Sequence, residues 1–436
     1  MNKKIYKSCT NIESSLYVAP NEIRACCQRF FYKGKMRGDT KLLEIQNNKS
    51  PSIHDITKAR NKLLEEIQND KNESCLGCPF ISKELEKPIV NEKISHLSIE
   101  HHSVCNLRCS YCSETYWGGK RSKYNVVEFI KDLSENGALS DCKQVVWGGG
   151  EPTLDKTFEI IVNEIERYAS PKLYHRVFTN AIRHHPAIET FLKKNLIKIV
   201  TSVDAGTEET FKKVRGRVKF KELFENLKRY ASVNPDRVTI KYILTDDNQN
   251  IEDLKGFAEE CLENNLIECC YQVSMNYKKE DISIQYLKSI LLLMSLMKKN
   301  GIKKFFCDDH ISQRFKKLND NDRKLIMNLI KDENLEDLIL KVDQNNHLNI
   351  YGAGDIAKNI TSKSILKEDK NFIKLFDSDT SKIGNKLNGL VIENPIEIKN
   401  NKNRIFISAA QAYDDVFSNL LSMNIDKKRI VSGIFL

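Results

Sequence analysis

The sequence predicts an α/β protein built in three parts, and three observations carry that prediction. Through its middle, apolar strand-like stretches alternate with amphipathic helical ones, the pattern of βα units around a parallel sheet. Ahead of that run, residues 1–90 concentrate cysteines in short, turn-rich stretches, at Cys9, Cys26, Cys27, Cys75 and Cys78. After it, residues 346–436 begin again with a separate strand–turn–helix pattern. A chain of 436 residues has room for two or three cores, and 40% hydrophobic with 29% charged residues is an ordinary globular composition.

Within residues 1–90, Ser14 to Cys27 reads as a hairpin turning at Pro20-Asn21, with Asn21 expected to accept a left-handed backbone. Neighbouring strand residues face opposite ways, so either Cys26 or Cys27 can join the other cysteines. Ile56, Leu63, Leu64 and Ile67 fall at helical spacing and predict a helix over 57–69, bridging the hairpin and the Cys75-Leu-Gly-Cys78 turn. Thirteen cysteines in a chain whose first residues lack a signal-peptide core point to metal or cluster ligation rather than disulfides. For the N-terminal set, a structural zinc and plain core cysteines are the alternatives.

Residues 91–306 supply the alternating pattern. Strands are expected over 95–101, 144–148, 175–180, 197–204, 237–245 and 267–275. Helices are expected over 124–136, 155–169, 186–194, 219–232, 251–264 and 283–299. Cys105-Asn-Leu-Arg-Cys109-Ser-Tyr-Cys112 follows the first strand, at the end where (β/α) barrels keep their chemistry. Three thiolates at that C-x3-C-x2-C spacing can hold one face of a cubane cluster and leave an iron open to a small molecule. A zinc knuckle completed by His101 or His102 is the alternative. It leaves unexplained the run Gly148-Gly149-Gly150-Glu151 after the second strand, where glycines let a backbone approach a ligand closely.

The stretch from Ile99 to Ser113 resembles the cluster loop of radical S-adenosylmethionine (radical SAM) enzymes, and Val145 to Thr153 resembles that family's GGE motif. The resemblance implies a partial (β/α)6 barrel with a lateral opening, a [4Fe-4S] cluster on Cys105, Cys109 and Cys112, and SAM at the open iron. It further implies SAM contacts from Gly148, Gly149, Gly150 and Glu151, from Ser202 and Asp204 at the fourth strand's end, and from Arg215 toward the SAM carboxylate. Thr179 and Asn180 end the third strand in the same region, and Tyr111 stands where the family often places an aromatic beside adenine. Ordinary strand-end capping is the alternative for each polar residue. The set Cys9, Asn21, Cys26, Cys75 and Cys78 is similar to part of the SPASM or twitch region, which implies one auxiliary iron–sulfur cluster. It departs from that region in having Asn21 where glycine is usual and in preceding the barrel. Cys269 or Cys270, on the sixth strand, is a candidate hydrogen donor to a substrate radical; a small core residue is the commoner role of a strand cysteine.

Residues 307–345 read as a charged helical connector. In residues 346–436, His347 to Ile360 reads as a strand, a Gly352-Ala-Gly354 turn and a helix. A second strand ends in Asp377, where a ribose-binding acid would sit. This Rossmann-like unit resembles the small nucleotide-binding domains attached to bacterial sugar acetyltransferases and sugar C-methyltransferases. A nucleotide or nucleotide-linked sugar is therefore expected there, with NAD or a docking role as alternatives.

The resemblance implies reductive cleavage of SAM and removal of a hydrogen atom from a substrate, in an oxidoreductase-like reaction fed by a donor such as flavodoxin or ferredoxin. The expected substrate is a nucleotide-linked sugar or another cell-surface building block. A peptide- or protein-modifying maturase and a non-catalytic cluster-binding scaffold are the alternatives. Net charge of +10 spreads through Lys-rich helices and reads as solvated faces. No aromatic-interleaved basic stripe supports a nucleic-acid partner. No apolar run has the length of a membrane span, and a cytoplasmic location is expected.

Overall fold

The computed structural model describes residues 4–113, 118–168, 173–315, 317–332, 339–340, 347–354, 357–358, 361, 373–409, 412–431 and 434–435. The chain divides into two compact units, residues 1–202 with 215–226, and residues 203–214 with 227–436.

In the first unit one sheet runs in the order Lys41–Glu44, Glu22–Arg24, Ser15–Val18, His96–Ile99, Gln144–Trp147, Tyr174–Phe178, Ile197–Ser202. From Ser15–Val18 onward every pairing is parallel, with Leu16 opposite Leu97, Leu97 opposite Val145, Val145 opposite His175 and His175 opposite Ile197. The parallel strands and their crossover helices are consistent with part of a radical SAM barrel. Helices Val126–Glu135, Phe158–Tyr168 and Pro186–Lys193 return between these strands. Each buries one stripe, Phe129 with Ile130 and Leu133, Ile161 with Val162 and Ile165, Ile188 with Phe191 and Leu192. Trp147 locks strand to helix: its ring meets Phe158 edge-on at 4.7 Å, and its Nε1–H donates to His175 Nδ1 at 2.9 Å.

The N-terminal hairpin is therefore not a separate lobe. Its first strand, Ser15–Val18, adds in parallel to the first barrel strand. Its turn corrects one expectation. Ala19 N–H donates to Glu22 O at 3.0 Å, and neither Pro20 nor Asn21 is among the described residues with positive φ. The two strands are thus joined without a left-handed residue at the turn. The helix runs Ile53–Gln68 and so begins four residues before the expected 57, because Ser52 and Asp55 form a reciprocal capping box. The strands Arg29–Tyr32 and Lys35–Gly38 were not anticipated. Their turn holds Lys33 and Gly34 at φ of 51° and 73°, the paired left-handed conformation of a tight hairpin.

In the second unit Val238–Leu244, Cys270–Met275 and Phe305–Cys307 pair in parallel. The connector expected over 307–345 thus begins with the end of a further strand, and the helices Asp309–Phe315 and Asp320–Asp332 follow. Residues 333–338 and 341–346 of that connector lie outside the described residues. A six-stranded mixed sheet follows, ordered Lys386–Leu387, Leu390–Glu393, Ile373–Phe376, Leu348–Tyr351, Arg404–Ile407, Ile430–Val431. Its interior pairings are parallel and only Lys386–Leu387 runs antiparallel. The helix expected after Gly354 falls partly on residues 355–356 and 359–360, outside the described residues.

One apolar cluster crosses the boundary expected at 346, while Leu348, Ile350, Ile373, Leu375, Ile392 and Phe406 form a further cluster wholly within the C-terminal segment. Cys270 and Phe306 share one apolar cluster with Tyr351, Phe376, Ile407, Tyr413 and Leu420. Phe306 stacks on Tyr413 with ring centroids 4.7 Å apart. Burying an aromatic of that size is worth roughly 1.5–3 kcal/mol, so removing residues 346–436 would strip the cover from Phe306.

Candidate functional site

The first barrel strand ends at Ile99, and residues 100–113 leave it as an irregular loop. The loop gains its shape from neighbours on both sides. Gly150 N–H donates to His102 O at 2.8 Å and Glu151 N–H donates to Val104 O at 2.8 Å. Arg108 N–H donates to Arg215 O at 3.1 Å, and Cys112 N–H closes a turn on Cys109 O at 3.1 Å. The cysteine loop is thereby held between the glycine turn and the segment around Arg215.

This explains the glycines in a way their sequence did not. Gly149 has φ of 81°, and a Cβ on it would lie 2.8 Å from His102 O. A Cβ on Gly150 would lie 2.3 Å from Val104 O. The close approach is to the cysteine loop itself. Gly149→Val must therefore displace that loop, with a further penalty of about 1–2 kcal/mol for a side chain at positive φ. We expect SAM affinity to fall at least tenfold and iron retention to fall with it. Wild-type iron content and SAM titration in this variant would show that the loop tolerates the displacement.

Glu151 is 2% exposed. Its Oε1 accepts from Thr153 N–H at 3.2 Å, Thr153 Oγ1 at 2.7 Å and Thr179 Oγ1 at 2.7 Å. Its Oε2 accepts from Asn180 N–H at 2.6 Å. Burial raises its carboxyl above the ordinary range, opposed by these donors. Glu151 thus fastens the glycine turn to the end of Tyr174–Phe178 and sets Thr179 and Asn180 beside the cysteine loop. Asn180 Nδ2 donates to Asn106 Oδ1 at 2.6 Å and toward Cys105 Sγ at 3.7 Å, while Leu107 N–H donates to the same sulfur at 3.4 Å. Cys105 keeps an exposed edge, yet desolvation of its sulfur pushes the thiol up to about 11, against the pull of Leu107 N–H. Two N–H groups converging on one sulfur suit a thiolate that binds a cluster, so these residues fit a [4Fe-4S] group.

Arg215 is buried, donates to the Tyr111 hydroxyl and lies 5.8 Å from that ring's centre. The two residues singled out separately thus form one pair beside the loop. Ser202 stands half-buried at the end of Ile197–Ser202, with Gly148 at the turn after Gln144–Trp147. Asp204 is fully buried with φ of 62°; its Oδ1 accepts from Ile243 N–H at 2.7 Å and its carbonyl accepts from Asn248 Nδ2 at 2.8 Å. Its carboxylate has the capping role that was the alternative in sequence. Asn106 and Arg108 were missed; Arg108 acts through its backbone N–H, which carries no residue signature.

The N-terminal cysteines meet as a group. Cys9, Cys26, Cys75 and Cys78 line one cavity with Ile12, Phe30, Thr40 and Phe80. Leu63, Leu64 and Ile67 of the capped helix pack against Cys9, Ala25 and Cys75 behind it. Cys27 points elsewhere, to the Tyr17 hydroxyl and toward Glu100, and burial raises its thiol beyond the usual range. Burial also pushes Cys75 to about 11 and Cys78 to about 12. Of the two adjacent cysteines, Cys26 is the one that lines the cavity.

Cys269 and Cys270 are corrected. Cys269 lies in a turn with its N–H on Leu266 O, and Cys270 opens the strand Cys270–Met275. Both are buried at the strand's N-terminal end, Cys270 in the core it shares with Phe306 and Tyr413. At about 3.3 Å per residue, that start is far from the strand end where barrel chemistry takes place, so the core reading holds.

In the second sheet Gly352 has φ of 110°, and a Cβ there would lie 2.8 Å from Ala409 Cβ, whereas among the described residues a Cβ on Gly354 would meet nothing within 4 Å. Asp377 Oδ2 accepts from Ala353 N–H at 2.7 Å and pairs with Lys382 at 3.1 Å. The acid expected to meet a ribose braces the glycine loop instead.

Residues 99–261 match the family described as the Radical SAM superfamily, and residues 344–431 match C2185-like, N-terminal. GTP 3',8-cyclase of Vibrio parahaemolyticus is 27% identical over 172 residues, covering 38% of this chain and 50% of that enzyme. An uncharacterized protein of Methanocaldococcus jannaschii is 27% identical over 258 residues, 56% of this chain and 83% of that protein. The solved structure of Streptococcus suis SuiB bound to S-adenosylmethionine matches at 16% identity and a TM-score of 0.41, over 62% of this chain and 59% of that one. The chain spans about half the length of the cyclases it matches. No helix among the described residues is long and apolar enough to cross a membrane. Through residues 99–261 this chain carries a radical SAM enzyme domain, followed by a C2185-like segment.

Proposed function

We propose that the chain holds a [4Fe-4S] cluster on Cys105, Cys109 and Cys112, binds SAM beside Gly148 to Glu151, and takes a hydrogen atom from a nucleotide-linked sugar or a related building block. The observation that carries this reading is the clamp on the cysteine loop. Gly150 and Glu151 donate to it from one side, Asn180 and Leu107 direct N–H groups at Cys105 Sγ, and Arg215 accepts from Arg108 on the other. When bound, the cluster with SAM supplies the electron and the radical chemistry. The chain's part is to orient: Glu151 fixes the glycine turn, Asn180 steadies the Cys105 sulfur, and Arg215 with Tyr111 forms a cationic, aromatic wall suited to a carboxylate and an adenine. A flavodoxin or ferredoxin is the proposed electron donor.

The N-terminal cavity is proposed to hold one auxiliary iron–sulfur cluster on Cys9, Cys26, Cys75 and Cys78. A structural zinc on the same four sulfurs is the alternative. This cavity also supports the second reading, a peptide or protein maturase.

For the C-terminal segment, numbering its parallel strands along the chain gives the sheet order three, two, one, four, five. That order supports a Rossmann-like unit with its crevice where the order reverses, past Tyr351 and Ile407. Gly352 lies there against Ala409. The nucleotide named in the GTP 3',8-cyclases is in keeping with a nucleotide-bearing substrate. Calorimetry with UDP- and GDP-linked sugars, NAD and free nucleotides on the full chain tests the reading. We expect a nucleotide-sugar to bind, and Gly352→Val to weaken it at least tenfold while SAM cleavage without substrate continues. Binding of NAD alone would replace the sugar by a dehydrogenase-type partner reaction. Binding of none would leave a docking segment and favour the maturase.

A further inference from the structure

In the residues leading into the cysteine loop and in the segment after the glycine turn, the structure contains a second set of ligand-type side chains. Among the described residues, one group of His, Cys, Asp or Glu has its ligand atoms all within 4.8 Å: His101, His102 and Asp155. Both imidazoles are 6% exposed. Their rings meet edge-on with centroids 4.9 Å apart. His101 Nε2 lies 2.9 Å from Asp155 Oδ2. Among the described residues, the buried His101 Nδ1 and His102 Nδ1 have no hydrogen-bond partner. All three residues line a cavity also bounded by Arg121, Tyr124 and Thr157. Burial of two adjacent imidazoles with unpartnered nitrogens is costly unless something in that cavity satisfies them.

We propose that His101, His102 and Asp155 bind one divalent transition ion such as zinc, at a site distinct from both cysteine sets. Two imidazoles and one carboxylate are the donor set of an open zinc site, with the cavity supplying room for water as a further ligand. The charge of Arg121 on the same wall opposes a bare dication, so the Asp155 carboxylate is needed for more than geometry. Asp155 is already oriented: its Oδ1 accepts from Thr157 N–H at 3.0 Å and its Oδ2 from Thr157 Oγ1 at 2.7 Å. The two Thr157 contacts fix a ligating carboxylate in place. The ion would tie the residues that lead into Cys105 to the segment that follows Glu151. The site stands whether or not the substrate reading above is right.

The test uses the protein with its iron–sulfur content reconstituted, so that the cysteines are occupied. It is dialysed against micromolar zinc, and iron and zinc are counted by mass spectrometry. Zinc X-ray absorption reports the ligands. We expect one zinc per chain beyond the iron, with nitrogen and oxygen ligands only. His102→Gln and Asp155→Asn should each reduce bound zinc at least tenfold with iron unchanged. His101→Gln provides the same reading if either variant loses iron or its helical circular dichroism. Absence of zinc from the parent protein, sulfur in its ligand shell, or full zinc in His102→Gln would each overturn the proposal.

Discussion

Cys109→Ala abolishes SAM cleavage, the largest loss expected of any single substitution here. Cys109 is the middle cysteine of the three, and Cys112 N–H closes a turn on its carbonyl, so the residue sets the loop's curvature as well as offering a sulfur. Two thiolates hold a cubane poorly. The clamp from Gly150, Glu151 and Arg215 is made through other residues and survives the substitution, so the loop keeps its course but loses a ligand. The measurement is formation of 5′-deoxyadenosine by anaerobically reconstituted protein with dithionite. We expect the variant to fall at least about 100-fold, with iron falling by about four per chain. Parent-like cleavage would remove Cys109 from the cluster and the radical SAM reading with it.

Cys26→Ser and Cys27→Ser should part company, the second largest effect. If the N-terminal cavity holds a second cubane, the parent carries about eight iron per chain and Cys26→Ser about four. Cys75→Ala with Cys78→Ala should reach the same lower value while SAM cleavage persists, since neither residue belongs to the cysteine loop. Cys27→Ser should keep all its iron, because its thiol faces Tyr17 rather than the cavity. Iron loss in Cys27→Ser would reverse the assignment. Zinc in the parent, with iron unmoved in the double variant, would make the cavity a structural zinc site.

Much of the fold was legible because its causes are local. Strand and helix periodicity along 91–306 depends on near neighbours in sequence, and the six expected strands are all present, shortened at their ends. What was missed has short or charged strands: Lys35–Gly38 and Lys41–Glu44 carry no apolar alternation, and Phe305–Cys307 is a strand of three residues. The helix start was misjudged by one turn because a capping box overrides the first apolar residue as the boundary.

The sequence by itself determined which atoms are available for chemistry. The C-x3-C-x2-C spacing, the glycine run and the C-terminal strand–turn pattern are contiguous, and contiguous residues stay within a short reach of one another in any fold. Tertiary structure alone decided which side each residue faces and what it touches. It turned Cys26 toward Cys9, Cys75 and Cys78 and Cys27 toward Tyr17, because successive strand-like residues point apart and only packing chooses between them. It committed Asp204 and Asp377 to backbone N–H groups of Ile243 and Ala353, and Cys270 to a core with Phe306 and Tyr413. It brought His101 and His102 to Asp155 across the glycine turn. Partners so far apart in sequence are joined by the parallel order of strands, which no local window of residues encodes.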